Sequence, residues 1–268
     1  MKDLTSTSYP TATSTGARRF VGKVAIVVGA SANVGRALTE LLAQEGAKIV
    51  VHYNSDSKRE QAEEVASVVR GYGGEAIVFQ ADLTRPEQAT QLFDAALAEF
   101  GQVDILINTA GKIIRKPLAE FTETEFDDLF NVNAKAAFFL LKEASQKMAN
   151  HGRVLSFVTT MVAAFAPTYA GYAGSKAPLE HFSKSLAKEI GNRGITVNCI
   201  APGPLDTSFF YPAESDENIA WLKSMSIDGG IGNVQDVTGL ALYLVSPEAR
   251  WITGTTNYIN GGIVSTIN

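Results

Sequence analysis

Residues 24–46 read VAIVVGASANVGRALTELLAQEG, and this stretch decides how the rest of the chain is interpreted. Its first five residues form a short apolar run that stops at Gly29, which is typical of a buried parallel strand. Apolar residues then recur with helical spacing from Val34 to Leu42, and Gly46 follows where a helix C-terminal glycine is expected. The stretch therefore predicts a strand, a tight turn of small residues and a helix.

The same alternation continues along the chain. Further apolar runs predict strands at 49–51, 76–79, 104–108, 154–158, 195–200 and 256–259. Helical spacing predicts helices at about 62–69, 86–100, 123–148, 169–190 and 234–244. Strands separated by helices need crossover connections, so the sequence predicts an α/β fold. We expect a doubly wound, seven-stranded, mostly parallel sheet with helices on both faces, in a single domain.

Two segments do not fit this pattern. Residues 1–20 are rich in Ser, Thr and Ala and predict a flexible N-terminal tail before a domain at 21–268. Residues 204–232 mix glycines, prolines, acids and aromatic residues without a strand pattern. Long irregular stretches inside compact domains are often lids or binding loops, so we expect a substrate lid at about 204–232.

Composition argues against several classes of protein. The net charge is −5 and there is no basic stripe, which argues against nucleic-acid binding. No apolar run approaches the length of a membrane span, so we expect no membrane association. The single cysteine, Cys199, cannot form an intrachain disulfide, which favours a reducing, cytoplasmic location and the role of a small buried hydrophobe. The three histidines lack ligand-like spacing, so we expect no metal site.

The turn after the first strand, GASANVG at 29–35, suits a phosphate group. Glycine lets the backbone approach a pyrophosphate, and the N-terminus of the following helix favours an anion. The second strand ends in HYNS at 52–55, without the acid that usually accepts a hydrogen bond from the ribose 2′-hydroxyl. This favours NADP(H) over NAD(H). Arg36, Lys58 and Arg59 are candidates to hold the 2′-phosphate, although solvated surface cations explain them equally well.

Tyr172 and Lys176 lie four residues apart on a predicted helix, so both side chains point from one face. Reduction of a ketone needs a proton donor at the developing alkoxide. A nearby ammonium group lowers the pKa of a tyrosine from about 10 toward working pH. A second hydroxyl beside the carbonyl oxygen would polarise it. Such a pair can occur by chance, so it indicates a catalytic site only when other motifs accompany it.

Several motifs accompany the pair in a fixed order. They are the turn at 29–35, NTAG at 108–111, NVN at 131–133, Thr159, YAGSK at 172–176, and Pro202-Gly203 followed by Thr207. This order resembles the short-chain dehydrogenase/reductase family in its compact form, over about residues 21–262. Within that family the chain looks similar to 3-oxoacyl-carrier-protein reductases and hydroxynaphthalene reductases. The resemblance implies a Rossmann-like fold and an NADP(H)-dependent oxidoreductase.

The resemblance also implies catalytic roles for four residues. Tyr172 would be the general acid in reduction and the base in oxidation. Lys176 would hold the nicotinamide ribose hydroxyls and lower the pKa of Tyr172. Thr159 stands where the family usually has serine and would position the carbonyl oxygen. Asn133 would anchor a water that links Lys176 to solvent.

A larger set of residues is implied to bind the cofactor, with Asp82 at the adenine and Thr207 at the carboxamide. The set is Gly29, Ser31, Asn33, Val34, Gly35, Tyr53, Asn54, Ser55, Asp82, Leu83, Asn108, Ala110, Gly111, Tyr172, Lys176, Pro202, Gly203 and Thr207. The chain departs from the family pattern at Val28, Asn33 and Thr109, where threonine, glycine and asparagine are usual. Asparagine tolerates a left-handed backbone, so Asn33 can preserve the turn.

Apolar side chains near the expected site predict an apolar or aromatic ketone, or its alcohol, as substrate. They are Phe209, Phe210, Tyr211, Trp221, Met225 and Ile227 in the predicted lid, and Ile113, Ile114, Met161 and Phe165 in other loops. Packing of the lid, or a contact between subunits, explains them equally well. The resemblance further implies a homotetramer built from the long central helices and the last strand.

Two other functions remain open at this stage. One is a 3-oxoacyl-carrier-protein reductase, for which Lys112, Arg115 and Lys116 form a small basic patch. The other is a non-catalytic NADP(H)-sensing binding protein. The complete set of Tyr172, Lys176, Asn133 and Thr159 counts against it, because a protein without catalysis has no need of all four.

Overall fold

The computed structural model describes residues 18–164 and 166–264. The predicted tail up to residue 17 and Phe165 of the predicted pocket lie outside the described residues. The last residues of the predicted tail pack on the domain. Phe20 is 1% exposed and its backbone N–H donates to the Glu45 carbonyl at 3.0 Å, while Arg19 forms an ion pair with the Glu45 carboxylate. The ordered domain therefore begins before residue 21.

The described residues form one sheet in which all neighbouring strands are parallel. The strands are β1 Val24–Val28, β2 Lys48–Tyr53, β3 Ala76–Gln80, β4 Ile105–Asn108, β5 Arg153–Phe157, β6 Thr196–Pro202 and β7 Thr256–Ile259. Their order is β3-β2-β1-β4-β5-β6-β7. The predicted doubly wound, seven-stranded, single-domain fold is confirmed.

Helices cover both faces of the sheet. They are α1 Asn33–Gln44, α2 Arg59–Gly71, α3 Pro86–Phe100, α4 Glu123–Phe130, α5 Ala136–Lys147, α6 Ala170–Lys176, α7 Pro178–Glu189, α8 Asp216–Met225 and α9 Val234–Leu244. Ala25 and Val27 of β1 share one core cluster with residues of α1, α2 and α9, whereas Ile26 and Val28 share the other with residues of α3, α5 and α7. Alternate residues of a strand point to opposite faces, so the continuous apolar run of β1 supplies both layers of the core.

Two predicted helices are divided in the structure. The predicted helix at 123–148 is interrupted by a π-helical turn at Asn131–Lys135. The predicted helix at 169–190 divides between α6 and α7 at Pro178, whose ring lacks the N–H that would continue the helical ladder. Both interruptions lie beside residues predicted to be catalytic.

The segment predicted to be irregular, 204–232, contains helix α8. Ser215 caps this helix by accepting a hydrogen bond from the Asn218 N–H at 3.3 Å. Only Leu222 of the helix is buried, so its apolar stripe is too weak to stand out in the sequence. Among the described residues, no helix has the length and apolar character needed to cross a membrane.

Candidate active site

A cavity of about 280 Å³ opens at the carboxyl ends of the central strands. Gly29 follows β1, Thr109 follows β4 and Val158 follows β5, and all three line the cavity together with Pro202 at the end of β6. The connections leave β1 and β4 in opposite directions along the sheet, because β2 lies on one side of β1 and β5 on the other side of β4. Ligands of doubly wound sheets bind at such a point.

The cavity brings together many of the residues predicted from the sequence. Those that line it are Gly29, Asn33, Val34, Gly35, Gly111, Thr159, Tyr172, Lys176, Pro202, Gly203 and Thr207. Those that do not are Ser31, Tyr53, Asn54, Ser55, Asp82, Leu83, Asn108, Ala110 and Asn133. The residues that line the cavity lie at or after the carboxyl ends of β1, β4, β5 and β6 or in α6. Most of the residues that do not line it lie at or after the ends of β2 and β3.

Tyr172 lies in α6 and its side chain is buried, with 7% of the residue exposed. Burial raises the pKa of Tyr172 to about 12, and a hydrogen bond with Thr159 opposes the rise. The phenol is therefore protonated at neutral pH, which is the form that donates a proton. Lys176 was expected to lower the pKa of Tyr172, but burial dominates and Lys176 is not among the groups that shift this pKa.

Lys176 lies one helical turn beyond Tyr172 and is 3% exposed. Its Nζ donates to the carbonyl oxygens of Ala110 and Phe157, both at 2.9 Å. These bonds use two of the three N–H donors of an ammonium group and fix its position between β4 and β5. Burial lowers the pKa of Lys176 to about 8, so the side chain keeps its charge at neutral pH.

Thr159 directly follows β5 and is buried beside Tyr172. Its hydroxyl accepts a hydrogen bond from the Met161 N–H at 3.3 Å, which caps the short helical turn at Thr160–Ala163. That bond fixes the position of the hydroxyl, which also forms the hydrogen bond with Tyr172. Two adjacent hydroxyl groups in one cavity can both reach a single carbonyl oxygen.

Asn133 lies in the π-helical turn between α4 and α5 and is 1% exposed. Its Nδ2 donates to the Lys112 carbonyl and the Ser175 hydroxyl, and its Oδ1 accepts from the Lys112 N–H, all at 2.8 Å. These partners occupy both amide donors, and Oδ1 keeps one acceptor position for a water. The side chain also packs beside Gly111 and Lys176, so it holds the loop at Gly111 in place.

The phosphate-binding turn has the backbone that its glycines require. Gly29 has a φ of +77° and Asn33 a φ of +49°, so asparagine does adopt the left-handed conformation here. A Cβ on Gly35 would overlap the carbonyl oxygen of Gly29, which excludes any larger residue. The Thr109 hydroxyl donates to the Val28 carbonyl at 2.7 Å and closes the turn against β4. The turn therefore fits a pyrophosphate despite its departures from the family pattern.

His52 supports this turn and was not predicted. It is 2% exposed, its Nε2 lies 2.9 Å from the Ala81 carbonyl, and its Nδ1 accepts from the Gly29 N–H at 3.3 Å. Burial lowers the pKa of His52 to about 4, so the ring is neutral at neutral pH. A neutral ring with the proton on Nε2 satisfies both contacts. The two partners of His52 follow β1 and β3, which flank β2 in the sheet. This supporting role is therefore visible only once the strand register is known.

The end of β2 differs in part from the prediction. The Tyr53 side chain is 3% exposed within the core and does not line the cavity. Asn54 is exposed and Ser55 is partly exposed, and the Ser55 hydroxyl contacts Asn54 Oδ1 and Ser57 Oγ. Arg36 is paired with Glu40 and Glu64, which makes it a poor candidate for a 2′-phosphate.

The remaining candidates for a nucleotide contact are spread along the strand ends. Arg59 is exposed and bonds to Asp56 at 3.1 Å, a contact that a phosphate could replace. Asp82 Oδ1 accepts from the Thr84 N–H and hydroxyl, so Asp82 shapes the loop after β3. Leu83 and Asn108 are buried, and Asn108 Oδ1 accepts from the Ala110 N–H at 3.1 Å.

The predicted apolar pocket is formed by about half of its proposed members. Ile113, Met161, Phe209 and Phe210 line the cavity. Tyr211, Trp221, Met225, Ile227 and Ile114 do not, and Ile227 is 86% exposed. Leu205 and Leu222 line it in addition. The wall of the cavity is mostly apolar, as predicted, but the outer face of α8 points to solvent.

The proposed basic patch is neutralised in the structure. Lys112 pairs with Asp128 at 2.9 Å and Lys116 with Glu125 at 2.6 Å, both near the surface. Arg115 pairs with Glu214 at 2.5 Å, where the carboxylate side chain is 1% exposed and lines the cavity. Glu214 was not predicted, because its partner lies 99 residues earlier in the chain.

Neither thiol nor metal chemistry gains support in the described part of the chain. Cys199 is 1% exposed, and burial raises the pKa of its thiol to about 11. This agrees with the predicted role of a small buried hydrophobe. No cluster of side chains with the composition of a metal site occurs among the described residues.

A cavity at the carboxyl edge of a doubly wound sheet defines a class of ligand-binding α/β proteins. Comparison with known proteins narrows that class. A family model described as enoyl-(acyl carrier protein) reductase matches residues 29–264. The chain belongs to the short-chain dehydrogenase/reductase family.

Individual relatives span nearly the whole chain. An NADPH-dependent aldehyde reductase-like, chloroplastic protein of Arabidopsis thaliana is 38% identical over 91% of this chain and 95% of its own length. A hydroxynaphthalene reductase-like protein of Metarhizium majus is 35% identical over 92% and 97%. The crystal structure of a dehydrogenase from Burkholderia cenocepacia with bound NADP is 43% identical, covers 94% of this chain and 97% of that one, and superposes with a TM-score of 0.91.

Proposed function

We propose that this protein is an NADPH-dependent reductase of apolar or aromatic ketones, with Tyr172 as the proton donor. One observation supports it above all. Tyr172 and Thr159 place two buried hydroxyl groups in a mostly apolar cavity, next to the charged Lys176 and below the phosphate-binding turn. Ketone reduction needs a proton donor, a polarising group and a bound hydride donor at one place.

The residues present fit an NADP(H) molecule. In the turn at 29–35, Gly35 packs directly against the Gly29 carbonyl and leaves no space for a Cβ, and α1 begins within the turn at Asn33. Such a tight turn at a helix N-terminus lets backbone N–H groups approach a pyrophosphate. The cofactor would supply the hydride to the carbonyl carbon. Lys176 would donate to its ribose hydroxyls, and Gly203 and Thr207 would hold its nicotinamide end, because both line the cavity beyond β6.

Each catalytic residue then has a definite task. The Tyr172 phenol donates its proton to the carbonyl oxygen, and its raised pKa keeps that proton available. The Thr159 hydroxyl donates a hydrogen bond to the same oxygen. The apolar wall of Ile113, Met161 and Phe210 excludes water and accepts the body of the substrate. Asn133 positions the loop that supports Lys176.

The preference for NADPH over NADH rests on the end of β2. That strand ends at Tyr53 and is followed by Asn54 and Ser55, so neither residue directly after it carries a carboxylate. Lys58 and Arg59 follow at the start of α2, where a 2′-phosphate would lie. The Burkholderia cenocepacia relative is described with bound NADP and the Arabidopsis relative as NADPH-dependent, which agrees with this preference.

The direct test is a fluorescence titration with NADPH and NADH, followed by NADPH consumption against a panel of ketones. We expect tighter binding of NADPH than of NADH and turnover that is fastest with aryl ketones. Turnover that does not depend on the apolar character of the ketone would contradict the proposed substrate class. Binding of neither nucleotide would overturn the proposed activity.

A second candidate is a reductase of acyl groups held by a carrier protein, which the description of the matching family model favours. The acidic partners of Lys112, Arg115 and Lys116 count against it, because a carrier protein would need free cations at the mouth. A 3-oxoacyl thioester in the same panel separates the two. Nucleotide binding without turnover of any ketone or thioester would instead favour the non-catalytic sensor.

The assembly and the location are also proposals. A homotetramer agrees with the exposed Phe138 on α5, which is 47% exposed and packs edge-to-face against Phe139 and Phe182. A cytoplasmic location stays a prediction from the sequence, and the Arabidopsis relative is described as chloroplastic.

A further inference from the structure

The wall of the active-site cavity contains one buried carboxylate, that of Glu214, among the residues that the structure describes. Its side chain is 1% exposed and its Oε2 lies 2.5 Å from Arg115 Nη1. The Tyr169 hydroxyl donates to Oε1 at 2.5 Å, and Asn218 Nδ2 donates to Oε2. Glu214 and Asn218 belong to the lid, whereas Arg115 and Tyr169 belong to the body of the domain.

Closing the lid alone does not account for this cluster. Burying an ion pair costs several kcal/mol per ion in desolvation, and well-packed apolar residues often replace such a pair without loss of stability. The neighbouring lid contacts are apolar: Phe210 is 8% exposed and Leu222 is 1% exposed, and both line the same cavity. A charged cluster kept in an apolar wall points to recognition of a ligand.

The cluster lies close to the proposed proton donor. Tyr169 packs with Tyr172 and Met161 in one buried group, and both tyrosines line the cavity with Glu214. The charge of Glu214 contributes to the raised pKa of Tyr172. A substrate whose carbonyl meets Tyr172 shares a cavity with Tyr169 and Glu214, which both line its wall.

Glu214 and Tyr169 line the cavity, and each keeps an acceptor position after its contacts within the cluster. A carboxylate has about four acceptor positions, and the three donors named above leave one. The Tyr169 oxygen receives a hydrogen bond from Asn218 at 3.2 Å and keeps one lone pair. Arg115 is already engaged, because its Nε donates to the Thr168 hydroxyl at 2.8 Å and its guanidinium lies 5.0 Å from the Tyr169 ring. A hydrogen-bond donor on the ligand fits, whereas a second carboxylate would be repelled.

We propose that Glu214, held by Arg115 and Tyr169, forms a polar subsite that selects ketones carrying a separate hydroxyl group and rejects ketones carrying a carboxylate. This rests on the proposed ketone reduction and adds the class of substrate to it. Glu214 is a specificity-determining residue in this role, since the chemistry at the carbonyl belongs to Tyr172 and Thr159.

The test compares ketones that differ only in one substituent. Wild-type protein and Glu214→Gln are assayed for kcat/KM with para- and meta-hydroxyacetophenone, the matching methoxy compounds and para-acetylbenzoate. A hydrogen bond to a charged group favours its partner by about tenfold or more, so we expect at least one hydroxy compound to exceed its methoxy counterpart by about that factor. Glu214→Gln should reduce this ratio to about one third or less and raise the relative rate with para-acetylbenzoate.

Two controls separate recognition from folding. Glu217→Gln changes an exposed acid on the same lid and should leave every ratio unchanged. Tyr169→Phe keeps the ion pair, removes the Tyr169 oxygen and frees one acceptor position on Glu214 Oε1. It should therefore change the hydroxy-to-methoxy ratio even if Glu214→Gln fails to fold. Equal ratios in wild type and in both cluster variants would overturn the subsite.

A binding measurement tests the subsite independently of the proposed reduction. Each acetophenone is titrated into the NADPH complex and followed by the fluorescence of the bound nucleotide. If no ketone is turned over but the hydroxy compound still binds more tightly than its methoxy counterpart, the proposed reduction fails and the subsite stands. Turnover without any difference in rate or affinity would overturn the subsite and leave the reduction intact.

Discussion

The protonation states of the proposed catalytic residues depend on their surroundings as well as on their identity. These residues are Tyr172, Thr159 and Lys176. The spacing of Tyr172 and Lys176 indicates that these two side chains share a helix face, and the family resemblance adds Thr159. All three line one cavity in the structure. The spacing does not indicate how each group titrates. Burial raises the pKa of Tyr172 to about 12, against the direction expected from Lys176, because both groups are withdrawn from water. The phenol is thereby kept as an acid.

The hydroxyl of Thr159 can be tested separately from its bulk. We predict that Thr159→Ser retains activity within a few-fold and that Thr159→Val lowers kcat by about 10²-fold, because only serine keeps the hydrogen-bond donor. Steady-state NADPH oxidation with an aryl ketone measures both. Full activity in Thr159→Val would contradict a catalytic role for the hydroxyl and leave Thr159 with a packing role only.

His52 predicts a dependence of stability on pH. Burial lowers the pKa of His52 from 6.5 to about 4 in the folded protein. Between these pH values the unfolded chain binds a proton that the folded state does not bind. Stability from this group is complete above pH 6.5 and is lost as the pH falls toward 4. Between about pH 7 and pH 5 the loss is about 2 kcal/mol.

Chemical denaturation at these two pH values measures the loss. In His52→Gln, which has no titratable ring at this position, we expect the difference between the two free energies of unfolding to be smaller by about that amount. An unchanged difference would show that His52 is not the group responsible.

At the scale of elements, strands and helices were easier to predict than their interruptions. Apolar runs and helical spacing predict the seven strands and most helices, because burial against both faces of the sheet imposes those patterns. The π-helical turn at Asn131–Lys135 leaves no such pattern, and α8 buries a single residue. Glu214 and His52 escaped prediction because their partners come from elements far apart in the chain.

The close packing of the phosphate-binding turn at 29–35 predicts how a substitution there changes NADPH affinity. A Cβ at position 35 would overlap the Gly29 carbonyl, so Gly35→Ala should displace the turn and weaken NADPH binding by at least about tenfold. Gly239→Ala is the matched control, since Gly239 lies in α9 and a Cβ there would meet open space. The control should bind NADPH normally and gain a few tenths to about 1 kcal/mol of stability. Equal NADPH affinity in both variants would contradict the assignment of the turn.

At the scale of the whole molecule, the exposed aromatic surface bears on the proposed tetramer. Phe138 lies on α5 with Phe182 of α7 at 5.1 Å between ring centroids, and it remains 47% exposed in a single chain. We predict that Phe138→Glu lowers the mass measured by light scattering, because a carboxylate cannot be buried there without a partner. Tyr72→Glu, at a similarly exposed aromatic residue directly after α2, should leave the mass unchanged.

The same measurement shows when the proposal fails. A wild-type protein that is already monomeric, or a Phe138→Glu variant with the wild-type mass, would contradict an interface at α5. The sequence supplies the apolar character of this helix, but core packing and subunit contact produce the same pattern. The 47% exposure of Phe138 in the folded chain shows that core packing does not account for this residue.

Tyr172 is the proposed proton donor of an NADPH-dependent reduction. The most direct test compares NADPH oxidation by wild type and Tyr172→Phe with an aryl ketone, together with the Kd for NADPH. We expect kcat to fall by at least about 10²-fold in the variant while the Kd changes little, because the phenol acts on the substrate and not on the cofactor's phosphates. Activity of Tyr172→Phe within a few-fold of wild type would contradict this role.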